Sequence, residues 1–574
     1  MATELISLGI LFVCAIVGGI IANRFKQPAV FGLLLVGALI GPGTLNLVKD
    51  QNMIGMMADF GAILILFIIG LEFDVFKLIK IGARSILIGL LKFAIVLFLG
   101  YEVTLLLGFS AKIALFLGVI LSFSSTVVVV KILEQKEMFS RKEVPLLIAV
   151  LIIEDVLAVF ALTFFSGIEN ASGGLLNVFE HIVFSLAILI FAYLVTMKIL
   201  GYIVSVIIKN NNDESVFIFL SLAMGALFSY FALYLGLTPS AGAFLAGSLI
   251  ASLPNAKDYG RAIHPYALIF TSIFFISMGT LVDFGIIREN VLLIAALIAI
   301  VLISRFIAIG FLTYLLANFK DEQPFFSSIA MISVGEFSLL IAKESQKFSL
   351  GIDLVTITAS IIFLTALLTS LGLSYSEKLH SSLNSGMPLR ARLKLERLSS
   401  YMRKFFDQME IENFFTNKLK KESKTAFMLL ALALFASLIS RRVSIEIVQR
   451  NNALFLYGFY VLSAMMLLYI GNLAYKKFKE MHQTLSAILT HVDASRNIQK
   501  CKSIMNNLML TLLLFFSAML FPFAIFMFNL NAIANLMPFI LAVAAFYYLK
   551  RLVMLIDGSH YVPSYNASIA ISKF

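Results

Sequence analysis

Seven ionisable residues lie inside stretches that are otherwise apolar: Asp59, Lys92, Glu154, Asp155, Lys198, Arg305 and Glu336. A charge held in hydrocarbon is costly, so such residues mark ion or proton pathways or stand in buried pairs. Glu154 and Asp155 carry the sharpest signal. They sit together in the middle of LLIAVLIIEDVLAVFALTFF, with no basic residue within ten positions. Neighbouring helical positions differ by about 100°, so both carboxylates can face one polar cavity. Two carboxylates in a low-dielectric site repel, and a proton or a small cation relieves that repulsion. Competition of the two for one site is the chemistry of exchange. The bland alternative is a pair held for packing alone, which the cost of an unneeded mid-membrane acid disfavours.

The remaining charges have plainer readings. Arg305, in LLIAALIAIVLISRFIAIGFLTYLL, keeps its charge and needs a buried acid or water. Glu154 or Glu336 is the expected partner. Glu336, in MISVGEFSLLIA, reads as structural through that pairing. Asp59 falls nearer the end of its apolar run, where interfacial water is in reach. Lys198 is expected to snorkel. Lys92 fits either snorkelling or pairing.

Two polar interruptions accompany these charges. LSFSSTVVVV places Ser122, Ser124, Ser125 and Thr126 in mid-span, and MISVGEFS places Ser333, Gly335 and Ser338 there. Broken helices offer half-helix dipoles and free carbonyls to an ion at the midplane. Ser and Thr also serve helix packing, so the matching positions count for more than the residue types.

The elements that position these groups must be membrane helices. Of 574 residues, 44 are Lys or Arg and 33 are Asp or Glu, so only 13% are charged while 60% are hydrophobic. So few charges cannot cover the surface of a soluble fold of this size. A spanning helix needs about 20 apolar residues. Thirteen such segments are expected up to residue 375, at about 5–22, 28–46, 53–71, 84–106, 111–130, 144–167, 175–208, 215–235, 238–253, 265–283, 290–317, 323–343 and 353–374. The second and ninth are short and marked by Gly and Pro. Runs this long and continuous exclude barrel strands, so the fold class is an all-α polytopic membrane protein. Spans four to six and eleven to thirteen form the natural inverted pair, with broken helices five and twelve crossing beside Glu154 and Asp155.

The first run lacks a basic leader, with Glu4 in its place, and reads as a true span rather than a cleaved signal. With the N-terminus outside, thirteen basic residues fall in inner loops and five in outer loops, the bias that marks the cytoplasmic side. The net charge of +11 is uneven: residues 1–375 carry −2 and residues 376–574 carry +13. Three regions follow: a thirteen-span unit over 1–375, a basic cytoplasmic linker over 376–425, and a membrane appendage over 426–574. The appendage has about four spans, near 426–440, 454–475, 506–528 and 532–549, a cytoplasmic helix near 476–505 and a cytoplasmic C-terminus. The basic charge lies between spans, so contact with anionic lipid is expected and nucleic acid is not. Two cysteines, Cys14 and Cys501, and six scattered histidines build no metal cluster or disulfide framework. No nucleophile–histidine pair and no cofactor motif appears, so an enzyme is not expected.

Together, QPAVFGLLLVGALIGPGTL (27–45), ILFIIGLEFD (65–74), SFSSTVVVVKILEQ (122–135), IIEDVLAVF (152–160), GLTPSAGAFLAGSLIA (236–251), FFISMGTLVDF (274–284) and GEFSLLIA (335–342) resemble the monovalent cation:proton antiporter-2 family. The resemblance covers about residues 5–375. It implies a homodimeric sodium–proton or potassium–proton exchanger in the cell membrane. It assigns ion and proton binding to Asp155 and Glu154, with Thr126 and Ser125 at one helix break. It assigns charge compensation to Arg305 and Glu336. Na+ at Asp155 and Glu154 is the expected cargo, with K+ as the alternative and a cation channel as a weaker one. Glu154 departs from the family, which carries Asp, Gln or Asn at that position. No G-x-G-x-x-G follows residue 375, so the nucleotide-binding tail of potassium-type relatives is not expected.

Overall fold

The structure is a computed structural model. It describes residues 2–25, 29–41, 44–47, 51–72, 83–138, 140–170, 191–199, 214–235, 239–253, 256–280, 284–317, 322–374, 399–404, 415–426, 453–492, 498–528 and 532–557, with scattered single residues between them. Almost everything described is helix. The order is α1 (Ala2–Arg24), α2 (Ala29–Ile40), α3 (Gln51–Glu72), α4 (Ala83–Leu106), α5 (Ala111–Ser122), α6 (Thr126–Gln135), α7 (Val144–Asn170), α8 (Glu214–Tyr234), α9 (Pro239–Ala251) and α10 (Ala256–Thr280). It continues with α11 (Phe284–Glu289), α12 (Val291–Arg305), a π turn (Phe306–Gly310), α13 (Phe311–Leu316), α14 (Gln323–Ala330), α15 (Glu336–Ser345), α16 (Leu354–Ser374), α17 (Ala453–Val492), α18 (Ile498–Phe528) and α19 (Met537–Asp557).

Among the described residues, eight helices are long and apolar enough to cross a membrane. Shorter apolar helices stand at Gly9–Arg24, Ala29–Ile40, Ala111–Ser122 and Ala241–Ala251. Most of the expected seventh span and of the one at 426–440 lies outside the described residues, as does much of the basic linker. At residue 475 the expected span passes directly into the expected polar helix. The boundary expected there is no break in the backbone, because α17 runs without interruption for 40 residues. The chain turns polar at that point, but residues 472–492 contain neither Gly nor Pro, so nothing stops the helix.

The chain forms two compact units. One holds Met1–Tyr314, Phe319–Ser385 and Ala518–Phe539; the other holds Leu315–Asn318, Gly386–Ser517 and Ile540–Phe574. The first unit contains two helix groups that matter here. In one, α1, α2, α3, α8, α9 and α10 pack through small residues. A Cβ on Gly37 would run into the Ile276 carbonyl oxygen, and one on Gly279 into that of Leu34. Gly70 faces the Phe244 carbonyl in the same way and Gly247 that of Phe67. Backbone thus meets backbone across α2–α10 and α3–α9, which only glycine permits. The second group, α4 to α7 with α12 to α16, holds the buried charges.

Candidate functional site

Both polar interruptions are places where a helix stops and restarts. Helix α5 ends at Ser122 and α6 begins at Thr126; α14 ends at Ala330 and α15 begins at Glu336. The two connecting segments cross as a short antiparallel bridge between Ser124 and Val334. The Ser125 N–H donates to the Ser333 carbonyl at 3.0 Å, and the Gly335 N–H donates to the Phe123 carbonyl at 3.1 Å. These bonds satisfy backbone groups that a helix would otherwise satisfy, which hydrocarbon demands. The approach is close: a Cβ on Gly335 would lie 2.6 Å from the Ser124 carbonyl oxygen. Ser338 ties α15 to α5 by donating to the Ile120 carbonyl at 2.6 Å, and Thr365 of α16 accepts from the Val334 N–H at 3.1 Å.

Glu154 and Asp155, in the middle of α7, are both buried beside this crossing. They have different partners. The Glu154 Oε2 accepts from the Ser124 N–H at 2.8 Å and from the Lys92 ammonium at 2.6 Å. Asp155 faces the first residue of α6, where the Thr126 Oγ1 lies 3.2 Å from Oδ1 and 3.1 Å from Oδ2. One carboxylate is therefore locked to a fixed cation. The other meets a hydroxyl at a positive half-helix end, where negative charge is favoured.

Arg305 and Glu336 differ from expectation. The Arg305 guanidinium is fully buried, and its Nη1 and Nη2 donate to the carbonyls of Ser122 at 3.2 Å and Leu121 at 3.0 Å. It covers the negative end of half-helix α5; its hydrogen bonds go to these carbonyls, and Glu154 stands near enough to act on its charge. The π turn follows directly after Arg305. Glu336 opens α15, and its Oε2 accepts from the Ser125 hydroxyl at 2.9 Å. Of the two acids expected for Arg305, Glu336 is thus engaged at a separate helix end. Lys198 is exposed, and the side chain of Asp59 lies outside the described residues.

Lys92 is the residue whose place the sequence left open. It lies 62 positions before Glu154 in an unremarkable apolar run, ILIGLLKFAIVLF. Its position in mid-helix was the one available signal. Thr365 carried no signal, because hydroxyls are common in membrane helices.

Known proteins share this geometry's framework. The sodium proton antiporter MjNhaP1 from Methanocaldococcus jannaschii has the same fold, with a TM-score of 0.52 at 15% identity over 66% of this chain and 99% of that one. The family described as sodium/hydrogen exchanger, transmembrane, matches residues 10–375, and the chain belongs to it. Related sequences include K(+) efflux antiporter 5 of Arabidopsis thaliana, 26% identical over 59% of this chain and 60% of its own length. The Na(+)/H(+) antiporter of Enterococcus hirae is 28% identical over 59% of this chain and 89% of its own length. The protein is therefore a multi-pass membrane protein of a monovalent cation:proton antiporter family, whose members are transporters.

Proposed function

We propose that the protein exchanges Na+, or Li+, for H+ across the cell membrane by alternating access, with cation and proton competing at the Glu154–Asp155 pair. The observation that carries this reading is the division of labour within the pair. Glu154 is engaged by Lys92 at 2.6 Å, while Asp155 lies against the Thr126 hydroxyl at the helix break. Asp155 is the group that takes the ion when ionised and releases it on protonation. Thr126 shares its binding, and Ser125 links the same break to Glu336. Arg305 balances the site's charge from the end of α5.

A repeated architecture supports alternating access. A constant shift of 210 residues relates Phe123 to Ser333 and Ser125 to Gly335, so the two bonds of the crossing are mirror uses of one bond. The same shift relates the bounds of α6 and α15, and the starts of α7 and α16. It also relates Gly32 to Gly242 and Gly37 to Gly247, while Gly70 and Gly279 differ by 209. Two inverted copies within a thirteen-span unit over 1–375 account for this. The excess of Lys and Arg in alternate loops supports an N-terminus outside, with the basic linker over 376–425 and the C-terminus in the cytoplasm. In this reading the appendage over 426–574 keeps its cytoplasmic helix near 476–505, the linker meets anionic lipid, and the exchanger works as a homodimer.

K+/H+ exchange is the second reading, favoured by the similarity to a K(+) efflux antiporter. Carboxylate oxygens alone do not separate the two ions. Both are tested in proteoliposomes by proton release against Na+, Li+ and K+. Asp155→Asn abolishes exchange in a folded protein, and full activity in that variant overturns the assignment.

A further inference from the structure

We infer that the Lys92 ammonium is a tethered stand-in for a monovalent cation: it fills an oxygen cage at Glu154 and leaves Asp155 as the one carboxyl that exchanges. The transport half of this inference rests on the exchange reading above; the cage does not.

The cage is built from three oxygens of different kinds. Lys92 Nζ lies 2.6 Å from Glu154 Oε2, 2.6 Å from the Ser122 carbonyl and 2.9 Å from Ser124 Oγ. An ammonium has three donors and no acceptor, so each donor is met. Lys92 and Glu154 are both fully buried. A carboxylate, a carbonyl at a helix C-terminus and a hydroxyl are also what would replace the water around a small cation. The lysine differs from such an ion in one respect: it cannot leave.

The fixed charge has a consequence for stoichiometry. The charged groups around Glu154 are Lys92 on α4, Asp155 on α7, Arg305 on α12 and Glu336 on α15. Lys92 cancels the charge of Glu154 wherever this contact holds, and removing either partner leaves a buried charge unpaired. A turnover then removes one proton from Asp155 and puts one monovalent cation in its place, so no net charge moves. Without Lys92, Glu154 is released to take its own proton. A turnover that carries two protons against one cation moves net charge.

Two measurements test this. In detergent, Lys92→Ala melts several degrees below the wild type, and methylammonium, which fits the emptied cage, raises its melting temperature with dose. The double variant Lys92→Ala/Glu154→Gln melts above the single variant and is indifferent to methylammonium. A single variant that ignores methylammonium, or a double variant that responds equally, overturns the cage. In proteoliposomes the potential is set by an ionophore whose ion is not the one exchanged. Wild-type exchange there is independent of potential. Lys92→Met exchanges roughly tenfold more slowly, in keeping with an unpaired buried charge, and its remaining rate follows the potential. A wild-type rate that tracks potential, or Lys92→Met exchange as indifferent as the wild type, overturns the charge-fixing role. A wild type that exchanges no cation for protons overturns the proposed function, and the melting series still decides the cage.

Discussion

Two adjacent carboxylates with the same chemistry are separated by what faces them. Lys92 and the Ser124 N–H hold Glu154, and the Thr126 hydroxyl stands against Asp155. Thr126→Val removes the hydroxyl and keeps the shape. It is expected to weaken cation affinity at Asp155 by about 1 kcal/mol, the net worth of one hydrogen bond, read as an increase of several-fold in the half-saturating cation concentration. A second residue-scale prediction concerns Gly335. Gly335→Ala puts a methyl 2.6 Å from a backbone oxygen that has no room to retreat. It should cost about 1–3 kcal/mol by overpacking, seen as a lower melting temperature, and should depress exchange by distorting the crossing. The acidic pair was legible in the sequence because carboxylates in mid-membrane are rare. The partner of each was not, because Lys92 and Thr126 approach from other helices at separations of 62 and 29 residues.

Helix breaks and close packing set the scale of elements. The polar runs at 121–130 and 331–338 contain the gaps between α5 and α6 and between α14 and α15. The sequence signalled them because Ser and Gly in an apolar span weaken the helix locally. Four of the seven motifs that carry the family resemblance have a structural purpose: they hold Gly37, Gly70, Gly247 and Gly279, where helices touch backbone to backbone. Gly37→Val should therefore destabilise the protein by about 1–3 kcal/mol or more. Gly19→Ala, with nothing within 4 Å of its would-be Cβ, should be neutral or slightly stabilising. Melting temperatures of the two variants in one detergent decide this. The 40-residue helix α17 shows the opposite limit: hydropathy marked where its character changes, but the backbone follows helix propensity, which does not change there.

Orientation belongs to the scale of the whole molecule. The inner loops carry the excess of Lys and Arg, which predicts residue 320 inside and residue 112 outside. In a background lacking Cys14 and Cys501, a cysteine replacing Lys112 should react with a membrane-impermeant maleimide on intact cells. One replacing Lys320 should react only after permeabilisation. Reversed labelling would overturn the proposed topology.

The sequence by itself determined the solvent of this protein, its helical class and the pair of acids it could not cheaply bury. These are properties of composition and local spacing, and a bilayer leaves few ways to satisfy them. Tertiary structure alone decided how the charges are matched. Arg305 turned to the carbonyls of α5 and Lys92 took Glu154, while Glu336 took the Ser125 hydroxyl. Pairing in a low-dielectric interior depends on distances of a few ångströms between helices far apart in the chain, and those distances appear only once the two broken helices cross.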